Sequence, residues 1–279
     1  MLLARTVPEL RAAVAAARAA GKAVGLVPTM GCLHEGHLSL VDLARSRAPF
    51  TVVSVFVNPT QFGPKEDFAR YPRPFEEDCR LCEGRGVDVV FAPGADFYAP
   101  DHSTWVEETS LSRGLCGEHR PGHFRGVATV VLKLLNAARA DVAVFGRKDL
   151  QQLAVIRRLV RDLDVPVEVV EAPIARDSDG LAMSSRNRHL SPAERSAALA
   201  IPASLRAAAA SVRAGERDPA KVLAAARGVL SAEPGLRPQY LELVDAATLA
   251  PAAAAEPGRT VLAVAAFAGA TRLIDNLAL

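Results

Sequence analysis

The chain has 279 residues, half of them apolar and 23% charged, with a formal net charge of +2. That is the composition of an ordinary water-soluble globular protein, long enough for two domains. So small a charge, with no dense Lys/Arg block, excludes a nucleic-acid surface, and no apolar run is long enough to span a membrane.

The first 22 residues mix an apolar run with Arg5, Glu9, Arg11 and Arg18 at helix-like spacing. This predicts an amphipathic first helix and no targeting segment, hence a cytoplasmic protein. Apolar, β-branched runs at 23–27, 51–57, 87–91, 142–145 and 167–170 then read as strands. Helical patterns at 36–47, 75–84, 125–139 and 149–163 lie between them. Alternation of this kind implies βαβ units and a largely parallel sheet covered on both faces. After residue 174 a polar segment, ARDSDGLAMSSRNRHLSP, leads into Ala-rich helical stretches at 192–214 and 219–232. Apolar runs at 239–244 and 260–267 complete a smaller second domain. The expected division is therefore 1–175 and 176–279, with the polar segment at the junction, where ligands often bind.

The chemistry collects just past the predicted strands, where open α/β sheets bind their ligands. In VGLVPTMGCLHEGHLSL the first strand is expected to stop at Pro28 and a Gly-containing turn to follow. His34 and His37 then open a helix. Their spacing puts both rings on one side of the first turn, where unpaired N–H groups and the helix dipole already favour an anion. Asn58 and Gln61 follow the second strand. Gly146, Lys148, Asp149 and Gln152 follow the fourth. Lys148 is one of only five lysines among 33 basic residues, so a compact ammonium is a marked choice at that junction. In the polar segment, Met183, Ser184, Ser185, Arg186 and Asn187 suit a mobile phosphate clamp. Arg120, His123 and Arg125, and separately Asp67, Arg70, Tyr71 and Arg73, read either as solvated loops or as contacts to an anionic substrate.

The absences are informative too. GxxxxGK[ST] and GxGxxG are both missing, which argues against a P-loop site and against a dinucleotide dehydrogenase. HEGH lacks the four-residue spacing of a zinc-protease helix, and no serine or cysteine sits in a nucleophile elbow. Cys79 and Cys82 (CxxC) with Cys116 and His119 (CxxH) imitate a zinc site, but the cysteines are read as small apolar residues and no metal is expected.

Taken together, VPTMGCLHEGH, VFVNPTQFGPKEDFARYPR, RPGHFRGVATVV, FGRKDLQQLAVIRRLV, DGLAMSSRNRHLSP and TRLIDN make the chain resemble the pantothenate synthetase (pantoate–β-alanine ligase) family nearly end to end. The His-x-Gly-His motif marks a wider nucleotidyltransferase superfamily that includes class I aminoacyl-tRNA synthetases. Ser184–Arg186 looks like this family's version of their Lys-Met-Ser-Lys-Ser loop. The resemblance implies a Rossmann-like parallel-sheet domain binding nucleotide and pantoate, a smaller α+β C-terminal lid domain, and a homodimer. It also implies ATP with Mg²⁺, a pantoyl adenylate, and release of pyrophosphate and then AMP as β-alanine is joined. His34, His37, Lys148, Ser184 and Arg186 would hold phosphates, Gly146 and Asp149 would contact ribose, and Met30 and Ser185 would belong with the nucleotide-binding set. Gln61 and Gln152, with Met30 near them, would grip pantoate; Asn58, Tyr71 and Arg120 are further substrate contacts. Arg147 departs from the family, which usually has an acidic or neutral residue there. Two other readings stay open: another adenylyl- or cytidylyltransferase of the superfamily, and a nucleotide-binding module without turnover.

Overall fold

The computed structural model describes residues 1–64 and 66–279, which form two compact units. In chain order the elements are β1 (Leu2–Ala4), α1 (Val7–Ala19), β2 (Val24–Thr29), α2 (Glu35–Arg47), β3 (Phe50–Val55) and α3 (Phe75–Gly84). Next come β4 (Val89–Phe91), α4 (Cys116–His119), α5 (His123–Ala138), β5 (Val142–Gly146), α6 (Leu150–Asp162) and β6 (Glu168–Ala172). The chain ends with α7 (Pro192–Ala198), α8 (Ala200–Arg213), α9 (Pro219–Ser231), β7 (Leu236–Asp245), β8 (Thr260–Ala268) and β9 (Thr271–Ala278).

The first unit comprises residues 1–112, 120–147 and 152–173. Its six strands run parallel in the order β1-β4-β3-β2-β5-β6, so the winding reverses between β2 and β5. Side chains alternate across the pleat. Val24, Leu26, Val52, Val89, Phe91, Ala143 and Phe145 pack with α1, α5 and α6, whereas Val27, Val53, Val90, Val142 and Val144 pack with α2 and α3. Because both faces are covered, the strands read in sequence as continuous apolar runs. Each fully buried aliphatic side chain contributes roughly 1.5–3 kcal/mol.

Contrary to expectation, Pro28 does not end β2. Ala23 and Thr29 accept hydrogen bonds from Phe50 and Phe56 on the β3 side, and Val24 accepts one from Asp141 on the β5 side. Even-numbered residues of β2 therefore face β5, which pairs with β2 only at Gly25 and Leu26. The donor that proline lacks falls where that ladder has already stopped.

The second unit comprises residues 113–119, 148–151 and 174–279. The strands β7, β8 and β9 form an antiparallel sheet in that order. Ile201, Leu205, Val222, Leu230, Leu262 and Val264 are central to its core. The expected single helix over 192–214 is two helices, because Pro202 cannot donate to the carbonyl four residues back, and that residue, Ala198, ends α7. No helix among the described residues is long and apolar enough to cross a membrane.

Candidate active site

In the first unit, β2 delivers the chain into a turn that needs two consecutive left-handed residues, Gly31 (φ +80°) and Cys32 (φ +52°). A Cβ at position 31 would stand 2.8 Å from Asp78 Oδ2 and 2.9 Å from Val55 Cγ1, so only glycine fits there. Asp78, 1% exposed on α3, holds this turn by accepting from the N–H groups of Cys32 (2.9 Å) and Leu33 (2.7 Å). Sequence reasoning missed Asp78, since partners that are backbone N–H groups 46 and 45 residues away leave no motif. Asp78→Ala is expected to lose about 1.5–3 kcal/mol for each of these two charge-assisted bonds. The measurement is the denaturation midpoint at neutral pH.

The turn feeds α2. His34 is its N-cap, with Nδ1 accepting from Gly36 N at 3.1 Å. That bond assigns the proton of the neutral ring to Nε2, leaving that nitrogen as a donor. His37 lies one turn on, its ring centroid 4.1 Å from that of His34. The two imidazoles come together at the helix start as the spacing predicts.

Beyond β3, Asn58 (1% exposed) caps a short 3-10 turn, Pro59–Gln61. Its Nδ2 donates to Gln61 Oε1 (3.1 Å) and to the carbonyl of Gly126 (3.2 Å). Gln61 Nε2 in turn lies 3.1 Å from Met30 Sδ. Three predicted residues, Met30, Asn58 and Gln61, thus form one amide-lined cluster at the carboxyl ends of β2 and β3. His123 Nδ1 lies 2.8 Å from the Gln61 carbonyl.

Arg120 packs against the same segment. Its guanidinium donates to both carboxylate oxygens of Glu66 (2.6 and 2.8 Å) and lies 3.0 Å from His123 Nε2. Tyr71 instead belongs to an aromatic group with Phe62, at 6.0 Å between centroids. Burial works to raise the Glu66 carboxyl, but its hydrogen bond and charge attraction to Arg120 hold it below the ordinary 4.5. The pair therefore stabilises the fold fully above pH 4.5, and its contribution is lost as pH falls through the lower folded value. In thermal melts from about pH 7 down to about 3, Glu66→Gln is expected to flatten the acid limb and to lower stability only at the neutral end.

Gly146 ends β5 on the other side of the strand-order reversal, paired with Ala172. A Cβ there would meet only Leu40 Cδ2, at 3.9 Å, so a ligand can approach this backbone closely. Arg147 shares the Glu171 carboxylate with Arg157, at 3.2 and 3.0 Å. Gln152 is half-buried on α6.

The second unit carries the other predicted groups. Lys148 Nζ lies 3.5 Å from the Met183 carbonyl and 3.7 Å from Asp149 Oδ2. Ser184 caps a 3-10 turn, Ser185–His189, through a 3.3 Å bond from Arg186 N to its Oγ. Ser185 is buried, and Arg186 is half-buried. Ion pairs tie the base of this segment: Arg195 reaches Asp177 (2.9 Å) and Asp179 (2.8 Å), and Arg176 grips Asp275 through two bonds. Gln151 is buried: its Oε1 accepts from Cys116 N and its Nε2 donates to the Gly114 carbonyl.

All four cysteines are free thiols, and among the described residues no group of three or more His, Cys, Asp or Glu side chains is placed to hold a metal. Burial pushes the Cys82 thiol up to about 12, as for a core side chain. Cys116 Sγ lies 3.2 Å from the Tyr240 hydroxyl and accepts from Arg272 at 3.3 Å.

A family model described as pantoate-beta-alanine ligase matches residues 2–278. Pantothenate synthetase 1 of Bradyrhizobium diazoefficiens is 54% identical over 274 residues, covering 98% of this chain and 96% of that protein. The crystal structure of pantothenate synthetase from Thermus thermophilus superposes with a TM-score of 0.95 at 47% identity, covering 100% of this chain and 99% of that one. A pantoate-beta-alanine ligase from Francisella tularensis, complexed with beta-gamma ATP and beta-alanine, matches with a TM-score of 0.80 at 30% identity, covering 100% and 97%. With its sequence matched almost from end to end and its fold shared at this level, the chain belongs to the pantoate–β-alanine ligase family.

Proposed function

We propose that the protein joins pantoate to β-alanine using ATP, by way of a pantoyl adenylate. In the first step a pantoate carboxylate oxygen attacks the α-phosphorus of ATP. The bond from that phosphorus to the bridging oxygen breaks, and pyrophosphate leaves with the electron pair. In the second step the uncharged amine of β-alanine attacks the acyl carbon, the carbon–oxygen bond to AMP breaks, and the nitrogen gives up a proton. Oxide is a poor leaving group from a carboxylate, and AMP is a good one. No enzyme nucleophile is required, in keeping with the lack of a nucleophile elbow.

Catalysis then rests on holding two anions together and neutralising charge as it passes to pyrophosphate. His34 and His37 donate to phosphate oxygens from the start of α2, and Lys148, Ser184 and Arg186 supply further donors to the same phosphates. Gly146 and Asp149 take the ribose side, with Met30 and Ser185 in the nucleotide set. Gln61 and Gln152 are assigned to pantoate, with Asn58, Tyr71 and Arg120 as further substrate contacts. The observation that supports this reading is that two groups, Met30–Gln61–Asn58 and the His34–His37 ring pair, follow the carboxyl ends of β2 and β3, beside the strand-order reversal where Rossmann-like sheets take nucleotide.

The described residues include no carboxylate cluster suited to a resident metal. Mg²⁺ is assigned to the substrate as the counter-ion of ATP, whose phosphates it would bind. We further assign the protein to the cytoplasm as a homodimer, with residues 176–279 acting as a lid; sedimentation equilibrium tests the dimer. The activity is tested by incubation with ATP and pantoate, with and without β-alanine. Pyrophosphate is expected without the amine and AMP only with it. AMP release that ignores β-alanine would overturn the reading.

A further inference from the structure

The TRLIDN stretch on β9 has no substrate role in the reading above, yet its last two residues are among the most buried polar groups of the second unit. Asn276 is 2% exposed and Asp275 is 3% exposed. Asn276 Nδ2 donates to the backbone carbonyl of Lys148 at 3.1 Å. Asp275 accepts two bonds from the Arg176 guanidinium, at 2.7 and 3.0 Å, and also accepts the Asn276 N–H at 2.8 Å. Arg176 forms an isolated β-bridge with Ala182, the residue before Met183. The carbonyl of Met183 is the group beside the Lys148 ammonium. Adjacent residues of one strand thus fasten both the backbone from which Lys148 extends and the segment on which its ammonium rests.

We propose that Asn276 is a positioning residue for Lys148, with Asp275 setting the segment that the ammonium meets. A lysine side chain has four rotatable bonds and no planar fork, so its tip is only as well placed as its backbone. Lys148 sits in a three-residue 3-10 turn, Arg147–Asp149, which is too short to hold that backbone alone. Among its outer supports are the Asn276 amide at Lys148 and the Gln151 bonds to Gly114 and Cys116 three residues on. An error of about 1 Å at a charge-neutralising group costs on the order of 10²-fold in rate.

The inference rests on Lys148 acting at the ATP phosphates, and a double-substitution cycle separates the two claims. Asn276→Leu removes the donor at similar volume; Asn276→Asp keeps the shape and replaces the donor by an acceptor. Each is expected to slow pyrophosphate release about 10–100-fold in single turnover. KM for ATP should move less than about threefold, marking an interaction realised in the transition state. In a Lys148→Ala background the same substitutions should cost less than about twofold more. A full, multiplicative loss in that background would assign Asn276 to the scaffold and overturn the proposal. So would loss of folding in both variants, or unchanged turnover in a folded one. Normal turnover of Lys148→Ala by itself would instead remove the role of Lys148, and this inference with it.

Discussion

Lys148→Ala is expected to lose pyrophosphate release by roughly 10²–10³-fold, about 2.7–4 kcal/mol of barrier, while remaining folded. The side chain is only about a quarter exposed, and its ammonium lies 3.7 Å from Asp149, too long for a tight ion pair. The ammonium is therefore not committed to stabilising the fold, and its removal leaves no buried charge uncompensated. On the proposed mechanism, what is lost is a point charge that offsets the negative charge accumulating on the leaving pyrophosphate. The defect should appear in the adenylation step, measured as pyrophosphate release from ATP and pantoate before any amine is added. Lys148→Arg should recover only part of the rate, because a planar guanidinium reaches farther and spreads its charge. Wild-type turnover in Lys148→Ala would remove the ammonium from the mechanism.

Gly126→Ala should impair both stability and pantoate binding. Gly126 lies in α5, and its carbonyl accepts from Asn58 Nδ2 at 3.2 Å. A Cβ at this position would stand 2.6 Å from the Thr60 carbonyl carbon and 2.8 Å from Gln61 Cα, and nearer still to the Thr60 oxygen. These are backbone atoms of the turn that presents Gln61, and they cannot swing aside as a flexible side chain would. Alanine is favoured over glycine inside a helix by about 0.5–1 kcal/mol. Overpacking costs typically about 1–3 kcal/mol, so the steric term wins. The turn must move away from α5, carrying Gln61 from Met30 and lengthening the Asn58 bond. The expected result is a lower unfolding midpoint together with a raised KM for pantoate and a nearly unchanged KM for ATP. Equal change in both constants would mean that the turn does not address pantoate.

The elements that were legible in the sequence are those whose signal is local. Apolar periodicity placed α2 and α3 within a residue of where they lie, and spacing alone put His34 and His37 on one side of a helix start. Their rings meet because three residues is nearly one helical turn, a fact that needs no tertiary partner. The apolar runs of β2, β3 and β5 were equally plain, since strands buried on both faces admit almost nothing polar. β1 and β9 were not. β1 is three residues long, and its first two side chains are exposed. β9 carries Arg272, Asp275 and Asn276 inside a strand, a pattern that reads as polar coil until their partners are known.

The candidate site divides in the same way. Residue type and position past a strand end are enough to select Met30, Asn58, Gln61, Gly146 and Lys148. Whether a side chain faces a ligand or serves the scaffold is set by partners distant in the chain. Gln151 and Gln152 are neighbours of the same type, yet Gln151 is spent on Gly114 and Cys116. Arg120 commits its guanidinium to Glu66, and Asp78 and Asn276 act on backbone groups 45 and 128 residues away. Every residue has a carbonyl, and all but proline a peptide N–H, so the sequence bears no mark of which of them is held. The amino-acid order by itself determined the family of elements, the paired imidazoles and the scarce lysine. Only the tertiary structure decided which buried polar groups hold those residues in place, because a hydrogen bond to the backbone depends on where the chain runs and not on what it spells.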